Sequence, residues 1–340
     1  MPGATVAAGA GKGDHVAGSS PFELLASADV LVDDHDVVLR RWQEAAGLPE
    51  QNPRWTRTPP GTGTRWTYAR LGRDRHRSPT ELEVISPWEV PPPGPRPVGY
   101  PYIGEIADAQ GDRPSKLHST VVSTNRFDEV VARLRDEGAP HRIDEPDEHL
   151  PFPRLWVGFH PGRPDQYDPA ADGGIRLEVL PHEVLGYPDP AARREEPEPA
   201  PGALRRIAAR LILVDDLDDV LGRLQRNFAW TPDAVVSPAD GSRRAQLGFA
   251  HPASAVLELV QPPPGEASRA GRFASRWAAG AYAIRFSVRD LDAAAAELEA
   301  RGTPCRRDEA HDGSGRPALV IPIEVGLGCE VELVEEPTAR

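Results

Sequence analysis

A unit made of an apolar strand, a capping Asp or Asn and an amphipathic helix occurs four times in this chain of 340 residues. The four strand-to-helix junctions lie at 30–39, 121–131, 212–221 and 286–295. Each is followed by a short apolar strand with a Glu inside it, at 82–87, 177–181, 257–262 and 331–335. Because a single unit of this size cannot bury its own apolar face, the repeat predicts modules that pair and share hydrophobic cores.

The helix of each module can be placed from the spacing of its apolar residues. In the second module Val130, Val131 and Leu134 share one helical face, with Asn125 as the expected N-cap and Gly138 as the expected stop. The pattern as a whole predicts helices at 37–46, 127–137, 217–227 and 291–301. Each module therefore has the order strand, helix, strands.

Loose segments rich in Pro and charged or small residues separate the modules, and the one at 188–201 lies near the centre of the chain. This position predicts two domains, at 21–190 and 203–340. Each domain is expected to hold two modules, at 21–90, 115–187, 203–262 and 279–336. The N-terminal segment is rich in Gly, Ala and Ser, so 1–20 is predicted to be a disordered tail.

Composition narrows the partners and the compartment. The net charge is −13, which argues against a nucleic-acid partner. No apolar run approaches membrane-spanning length, and the N-terminal segment lacks the basic and apolar regions of a signal peptide. The only two cysteines, Cys305 and Cys329, indicate neither a disulfide framework nor a thiolate zinc site. These features predict a cytoplasmic protein with no membrane partner.

The fourfold unit, with its Asp-x-Asp helix start and Leu-Glu-x-x-x-Pro ending, resembles the vicinal oxygen chelate superfamily of glyoxalases, bleomycin-resistance proteins and extradiol dioxygenases. The resemblance extends from about Phe22 to Glu336. It implies an α+β fold of two glyoxalase-like domains, each a pair of βαβββ modules that form a cupped mixed sheet with helices outside. In that family a metal is held by a His or Glu near the start of each first strand and by a Glu from a last strand.

Carried over to this chain, the family's first-strand position lies seven residues before the capping residue. That position is His118 in the second module, and in the others it is Ser27, Ala209 or Ala283. The last-strand position is Glu in every module, at Glu83, Glu178, Glu258 and Glu332. With Ala at both of its first-strand positions, the second domain is expected to hold no catalytic metal.

The resemblance therefore implies His118 and Glu178 as metal ligands, with Glu83 as the third and Asp29 as a fourth or a substitute. The cofactor would be a divalent metal, and Zn, Mn, Fe, Ni and Mg are not distinguished. From the residues alone, a single His on a strand is more often a hydrogen-bonded structural residue than a ligand.

Strand alternation makes a more specific prediction about these side chains. It places His118 on the same face as Val122, and Arg176 on the same face as Glu178. If both faces line one concavity, an imidazole and a carboxylate meet there.

The candidates for proton transfer and substrate binding are His160, Tyr167 and Arg176. His160 ends a strand-like run and Tyr167 follows in a loop, so both are expected at the rim of the cup. A rim His is usually only solvated, and Arg176 could either neutralise an anionic substrate or pair with a neighbouring carboxylate.

These features predict a metal-dependent enzyme, with its site in the first domain, that acts on a small oxygenated metabolite as an isomerase, epimerase or lyase. An extradiol-type dioxygenase is an alternative. It is disfavoured because the resemblance to those enzymes implies a ligand set of two His and one Glu, normally in the C-terminal half. A metal-free binding or drug-sequestering protein is the alternative from another class. The expected partner is a small-molecule substrate, and a homodimer is compatible with the sequence.

Overall fold

The computed structural model describes residues 20–58, 64–72, 75, 77–87, 103–146, 150–161, 163–186, 198–310 and 314–336, with the backbone alone at 163–165. Of the predicted tail at 1–20 only Ser20 lies within these residues, and of the predicted linker only 198–201. The domain boundaries at 21–190 and 203–340 stay predictions.

The first half of the chain forms one mixed sheet of eight strands. In chain order they are β1 (Leu24–Leu31), β2 (Thr56–Arg57), β3 (Thr64–Ala69), β4 (Glu81–Pro87), β5 (Thr120–Thr124), β6 (His141–Asp144), β7 (Arg154–Val157) and β10 (Leu177–Pro181). Between the last two lies a separate hairpin of β8 (Phe159–His160) and β9 (Arg163–Tyr167). The spatial order of the sheet is β2-β3-β4-β1-β5-β10-β7-β6.

The second half forms another eight-stranded sheet with the same plan. Its strands are β11 (Arg206–Leu213), β12 (Ala234–Val236), β13 (Arg243–Leu247), β14 (Val256–Gln261), β15 (Gly280–Val288), β16 (Arg306–Glu309), β17 (Pro317–Ile321) and β18 (Glu330–Glu335). The spatial order is β12-β13-β14-β11-β15-β18-β17-β16.

The pairing of strands shows how modules combine. In the first sheet β1 is parallel to β4 and antiparallel to β5, and β5 is parallel to β10. The second sheet repeats this arrangement with β11, β14, β15 and β18. Each sheet is therefore two βαβββ modules joined along their first strands, which confirms the predicted fold.

The helices are α1 (His35–Glu44), α2 (Ile103–Ala109), α3 (Phe127–Asp136), α4 (Leu217–Phe228), α5 (Arg269–Trp277) and α6 (Leu291–Ala300). The four helices expected from the repeat, α1, α3, α4 and α6, are confirmed to within two residues at each end. Within the described residues no helix has the length and apolar character that crossing a membrane requires.

The capping residues explain where three of the four repeat helices begin. An Asp side chain accepts a backbone N–H of the first helical turn at Asp34, Asp216 and Asp290. The expected cap of α3 at Asn125 is wrong, because the N-cap is Arg126, which makes no side-chain cap bond. Thr124 Oγ1 instead accepts the Arg126 N–H at 3.0 Å, and α3 begins at Phe127, the predicted first residue.

Helices α2 and α5 were not predicted, and each covers part of the concave face of one sheet. Ile103 and Ile106 of α2 pack with Trp66 and Ile85 of the first sheet. Ala270 and Phe273 of α5 pack with apolar residues of the second sheet. Both helices follow Pro- and Gly-rich sequence, and tertiary contacts rather than local pattern account for them.

The repeat helices lie on the opposite faces, in a hydrophobic core that both halves share. Trp42 of α1 is fully buried, its ring lies 5.5 Å from that of Phe286 in β15, and its Nε1–H donates to Leu327 O at 2.9 Å. Phe22 and Trp230 meet edge to face with centroids 4.8 Å apart. The helices are thus outside the cups, as expected, and they join the two sheets.

A candidate active site in the first cup

A cavity of about 630 Å³ occupies the concave face of the first sheet. His118 and Glu178 both line it, so the structure brings together the imidazole and the carboxylate that the sequence singled out. Its walls include the aromatic side chains of Trp66, Tyr68 and Trp156. This is the size and lining of a small-molecule site.

Hydrogen bonds from the start of β5 hold the two side chains in place. Ser119 Oγ donates to Glu178 Oε2 at 2.9 Å and lies 3.2 Å from His118 Nδ1. Asp29 Oδ2 accepts the backbone N–H of His118 at 2.7 Å and that of Ser119 at 3.1 Å. The His118 ring also packs edge to face against Trp156, with centroids 5.5 Å apart.

The expected alternation of His118 with Val122 is wrong, because β5 begins only at Thr120 and His118 precedes it. Val122 packs in the shared helix–sheet core, whereas Val121 lines the cavity with His118. The imidazole therefore reaches the cup from an irregular segment rather than from the regular strand.

The observed cap of α3 also corrects the position of His118 in the repeat. Seven residues before the observed cap, Arg126, stands Ser119 rather than His118. The first-strand position of the repeat in the second module is therefore Ser119, and His118 lies one residue before it.

The β-ladders agree with this correction. In the first module the last-strand Glu pairs with Asp29, two residues after Ser27. In the second module the last-strand Glu pairs with Val121, two residues after Ser119. Both first-strand positions of the first domain are therefore serines.

The two serines make the same interaction in both modules. Ser27 Oγ donates to Glu83 Oε2 at 3.0 Å, as Ser119 Oγ does to Glu178 Oε2 at 2.9 Å. Glu83 is 3% exposed and is not among the residues that line the cavity, so it lies below the cavity wall. The predicted third ligand is thus next to the site without facing its open space.

Burial shifts the ionisation of all four titratable groups of the cluster. It raises the pKa of Asp29 to about 7 against the opposing charge of Arg210, and that of Glu178 to about 7 against Arg154. The pKa of Glu83 is raised well above its usual range by burial and then by the neighbouring carboxylates. Near neutral pH the cluster therefore carries carboxyl groups that can both hold and release a proton.

The imidazole behaves in the opposite way. Burial, followed by the charges of Arg176 and Arg154, lowers the pKa of His118 to about 3. His118 is therefore neutral at physiological pH, with a nitrogen lone pair available as a ligand or hydrogen-bond acceptor.

The cluster can be tested for its fit to a metal. In the described part of the chain no three His, Cys, Asp or Glu side chains converge as a ready-made metal site. Two buried atoms of the cluster, His118 Nε2 and Asp29 Oδ1, nevertheless make no hydrogen bond. The neutral imidazole of His118 and the carboxyl group of Glu178, which share the cavity and the Ser119 hydroxyl, are donor types that suit a divalent cation.

The second cup is filled by its own side chains. Arg285 stands at the ladder position that Val121 holds in the first cup. Its guanidinium donates to Glu258 Oε2 and to Glu332 Oε2, both at 2.8 Å, and Arg269 also bonds Glu332. The last-strand glutamates of the second cup therefore already have a cation between them.

The remaining predicted residues lie elsewhere. His160, Tyr167 and Arg176 line a second cavity of about 500 Å³ and are not among the residues lining the first. The expected face shared by Arg176 and Glu178 is wrong, because β10 begins at Leu177 and Arg176 has a left-handed backbone with φ of 54°. A role for these three residues in the chemistry of the cup stays a prediction without geometric support.

Sequence reasoning missed several residues that line the site, and two of them lie next to Glu178. Arg154 and Trp156 come from β7, next to Glu178 across the sheet, and no local motif marks them. Ser119 was also missed, although counting from Arg126 instead of Asn125 would have found it.

Comparison with known proteins shows a likeness of fold. No protein-family model matches the chain, and no curated protein does. Among solved structures, a mutant of 4-hydroxymandelate synthase from Streptomyces coelicolor is similar, with a TM-score of 0.60, 17% identity and 94% of each chain covered. This likeness shows the two-domain fold.

Two further solved structures are similar to a smaller part. Methylmalonyl-CoA epimerase from Streptomyces coelicolor, in complex with 2-nitronate-propionyl-CoA, is 24% identical over 40% of this chain and 100% of that one, with a TM-score of 0.35. Methylmalonyl-CoA epimerase from Mycobacterium tuberculosis is 22% identical over 41% of this chain and 93% of that one, with a TM-score of 0.36.

Proposed function

We propose that this chain, which has the fold of the vicinal oxygen chelate superfamily, is an enzyme with its active site in the first cup. The proposed reaction moves a proton next to a carbonyl group of a small oxygenated metabolite, as an isomerase, epimerase or lyase does. One observation carries the proposal: Glu178, a buried carboxyl group with a pKa of about 7, shares a 630 Å³ cavity with the neutral imidazole of His118.

The proposed cofactor is one divalent cation held by His118, Glu178 and Glu83. When bound, such a cation would polarise a carbonyl oxygen and stabilise an enediolate. The unsatisfied Nε2 of His118 supports this assignment, because a buried ring nitrogen without a partner otherwise costs free energy. Imidazole and carboxylate ligands do not distinguish Zn, Mn, Fe and Ni, and Mg would rely on the carboxylates.

The protein groups supply positioning and proton transfer. A carboxyl group with a pKa of about 7, such as that of Glu178, can act as base and then as acid at neutral pH. The Ser119 hydroxyl fixes its orientation, and Asp29 fixes the backbone of both His118 and Ser119. Trp156 holds the imidazole ring from the side. These supports leave few degrees of freedom to the reacting groups.

The mouth of the cup indicates the charge of the substrate. Arg57, Arg70 and Arg75 line it together with Trp55. Arg70 and Arg75 also contact the carboxylate of Glu81, so this belt is partly neutralised. A small oxygenated metabolite with one negative charge fits such an opening.

A metal-free binding protein is the second candidate, and a specific observation favours it. Serines stand at both first-strand positions of the first domain, where the family resemblance implies His or Glu. An extradiol-type dioxygenase remains the other enzymatic alternative, but His118 is the only imidazole among the described residues that line the cup.

Two measurements on the full chain test the proposal. Calorimetric titration with Mn²⁺, Zn²⁺ and Ni²⁺ should give one site per chain, and His118→Ala and Glu178→Gln should each weaken it at least tenfold, whereas Glu332→Gln should not. The metal-loaded protein in D₂O should exchange a carbon-bound proton of small hydroxy- and keto-carbonyl compounds for deuterium. NMR spectra of the compounds measure this exchange. Tight binding of such a compound with neither metal nor exchange would establish the binding protein instead.

A further inference from the structure

The cavity that holds His160, Tyr167 and Arg176 has no part in the proposed chemistry of the first cup. It measures about 500 Å³, and helix α2, the hairpin of β8 and β9, and the segment before β10 all contribute to its walls. We propose that this cavity is a second binding site, independent of the function proposed for the cup, which takes a small monocarboxylate on the guanidinium of Arg176.

The position of the Arg176 guanidinium suits it to bind an anion. Its guanidinium carbon lies 4.2 Å from the centroid of the Tyr167 ring, so the cation is stacked and half-buried. Among the residues that the structure describes, no hydrogen-bond or ion-pair partner engages this guanidinium. A stacked guanidinium keeps its planar fork available for the two oxygens of a carboxylate.

The backbone of Arg176 is held in a costly conformation. Its φ of 54° is left-handed, which is unusual for a residue with a side chain. Two main-chain bonds maintain it: the Arg176 N–H donates to Tyr167 Oη at 3.2 Å, and the Arg176 carbonyl accepts the Thr120 N–H at 2.8 Å. A glycine would fit this position without strain, so the arginine side chain is retained at a cost.

The ring beneath Arg176 is itself anchored. Tyr167 donates its hydroxyl hydrogen to Asp172, which also accepts the N–H groups of Gly174 at 3.1 Å and Leu177 at 2.8 Å. The ring lies so close to Gly158 that a Cβ there would be 2.7 Å from it. The stacking platform is therefore rigid before any ligand binds.

The other lining residues select the ligand. His160 lies exposed at the rim and can add a second donor, while Phe159 and Ile106 offer apolar surface. Two carboxylates, Glu105 and Asp168, also line the cavity and would repel a doubly charged anion. One carboxylate group on an apolar body, as in benzoate, matches this combination better than phosphate.

Benzoate, acetate and inorganic phosphate are suitable probes for calorimetric titration of the full chain at pH 7. Saturable benzoate binding is expected, weakened at least tenfold by Arg176→Gln and less by Arg176→Lys, which keeps the charge without the fork. Arg205→Gln, which removes a positive charge on the other sheet, should leave the affinity unchanged. Arg176→Gly, which relieves the backbone, should stay folded and lose binding.

Val121→Arg separates this site from the first cup, because it fills the cup and leaves the second cavity intact. Benzoate should bind this variant with the affinity of the unmodified protein. The proposal is overturned if benzoate fails to saturate, if Arg176→Gln or Arg176→Gly binds it equally well, if Val121→Arg abolishes binding, or if phosphate binds more tightly than benzoate. Metal binding and proton exchange in the cup are measured without benzoate, so failure of this proposal and failure of the function proposed for the cup are distinguishable.

Discussion

The two cups have the same strands and the same last-strand glutamates, yet one is an open cavity and the other a packed ion-pair network. In the second cup the guanidinium of Arg285 lies between Glu258 and Glu332. At the corresponding position the first cup has Val121, and hydroxyl groups take over the contacts with its glutamates.

The two cups therefore show that the repeated Glu is not by itself evidence of a metal site. A buried carboxylate needs a partner, and the partner can be an arginine, a hydroxyl or a bound cation. The residue facing the glutamates decides whether a cup is filled from within or left available. One substitution in each cup can therefore exchange their properties.

Filling the first cup should have the largest effect. Val121→Arg would place a guanidinium beside Glu83 and Glu178, as Arg285 does in the second cup, and would displace both metal and substrate. Cation binding by calorimetry and proton exchange in D₂O should both fall to background while circular dichroism stays unchanged. Val236→Arg, at a site that is 38% exposed on the edge strand β12, is the matched control and should keep both activities. Residual cation binding in Val121→Arg would contradict the comparison.

Emptying the second cup should cost stability. Arg285→Val leaves the buried Glu258 without its bonded guanidinium and Glu332 with Arg269 alone, and the free energy of unfolding should fall by about 3–5 kcal/mol at pH 8. The loss should shrink as the pH falls toward 5, because burial already raises the pKa of Glu258 and a protonated Glu needs no cation. Urea titrations at the two pH values measure this difference.

The control for this variant is an arginine at the surface. Arg306→Val removes a side chain that is 45% exposed and pairs loosely with Glu330 at 3.7 Å, so it should cost less than about 1 kcal/mol. An equal loss in both variants would show that Arg285 has no special role.

The carboxyl cluster of the first cup should make stability depend on pH. The pKa of Glu178 is about 7 in the folded protein and about 4.3 in the unfolded chain. Between these two pKa values the folded state therefore binds more protons than the unfolded state. The contribution of Glu178 to stability is fully present below about pH 4 and is lost as the pH rises through 7. In metal-free protein, Glu178→Gln should remove about 2 kcal/mol of the loss between pH 5 and 7.5.

This third prediction is checked by urea unfolding midpoints across the pH range in the presence of a chelator. Asp29, whose pKa is also about 7, should leave a remaining slope in the Glu178→Gln variant. If the unfolding midpoint of the unmodified protein does not change with pH, other charged groups compensate the titration of this cluster.

Removing one hydroxyl should have the smallest effect. Ser119→Ala installs the residue found at the equivalent positions of the second domain, so the fold should tolerate it at a cost of about 1 kcal/mol. The Ser119 hydroxyl lowers the pKa of Glu178, so its loss should move the acid limb of the pH–rate profile to higher pH. Ala209→Ser should leave that profile unchanged, and an unshifted limb in Ser119→Ala would show that the hydroxyl does not orient the base.

The repeat was sufficient to predict the pairing of modules, because strand and helix periods and the capping Asp residues are local signals. The repeat did not predict the cap of α3 correctly. Asn125 is a residue type that often caps helices, but the side chain of Thr124 accepts the Arg126 N–H and Arg126 is the cap. That shift of one residue moved the family position from Ser119 to His118. Side chains alternate along a strand, so errors of one residue matter most at a site.

Other parts of the site depend on contacts distant in sequence. The role of Arg285 follows from strand register, and Arg154 lines the first cup from β7, which pairs with β10. Helix α2 is short and is stabilised by the apolar residues it covers rather than by its own propensity. A single sequence carries little information about such contacts.

The burial of Trp42 against the second sheet has a consequence for how the gene can be divided. A fragment that ends after β10 would expose Trp42 of α1, and one that begins at 203 would leave Phe286 and the Leu327 carbonyl uncovered. The chain should therefore melt in a single cooperative transition, with neither half viable alone. The second half, whose cup is filled, therefore stabilises the fold of the first half, whose cup is open.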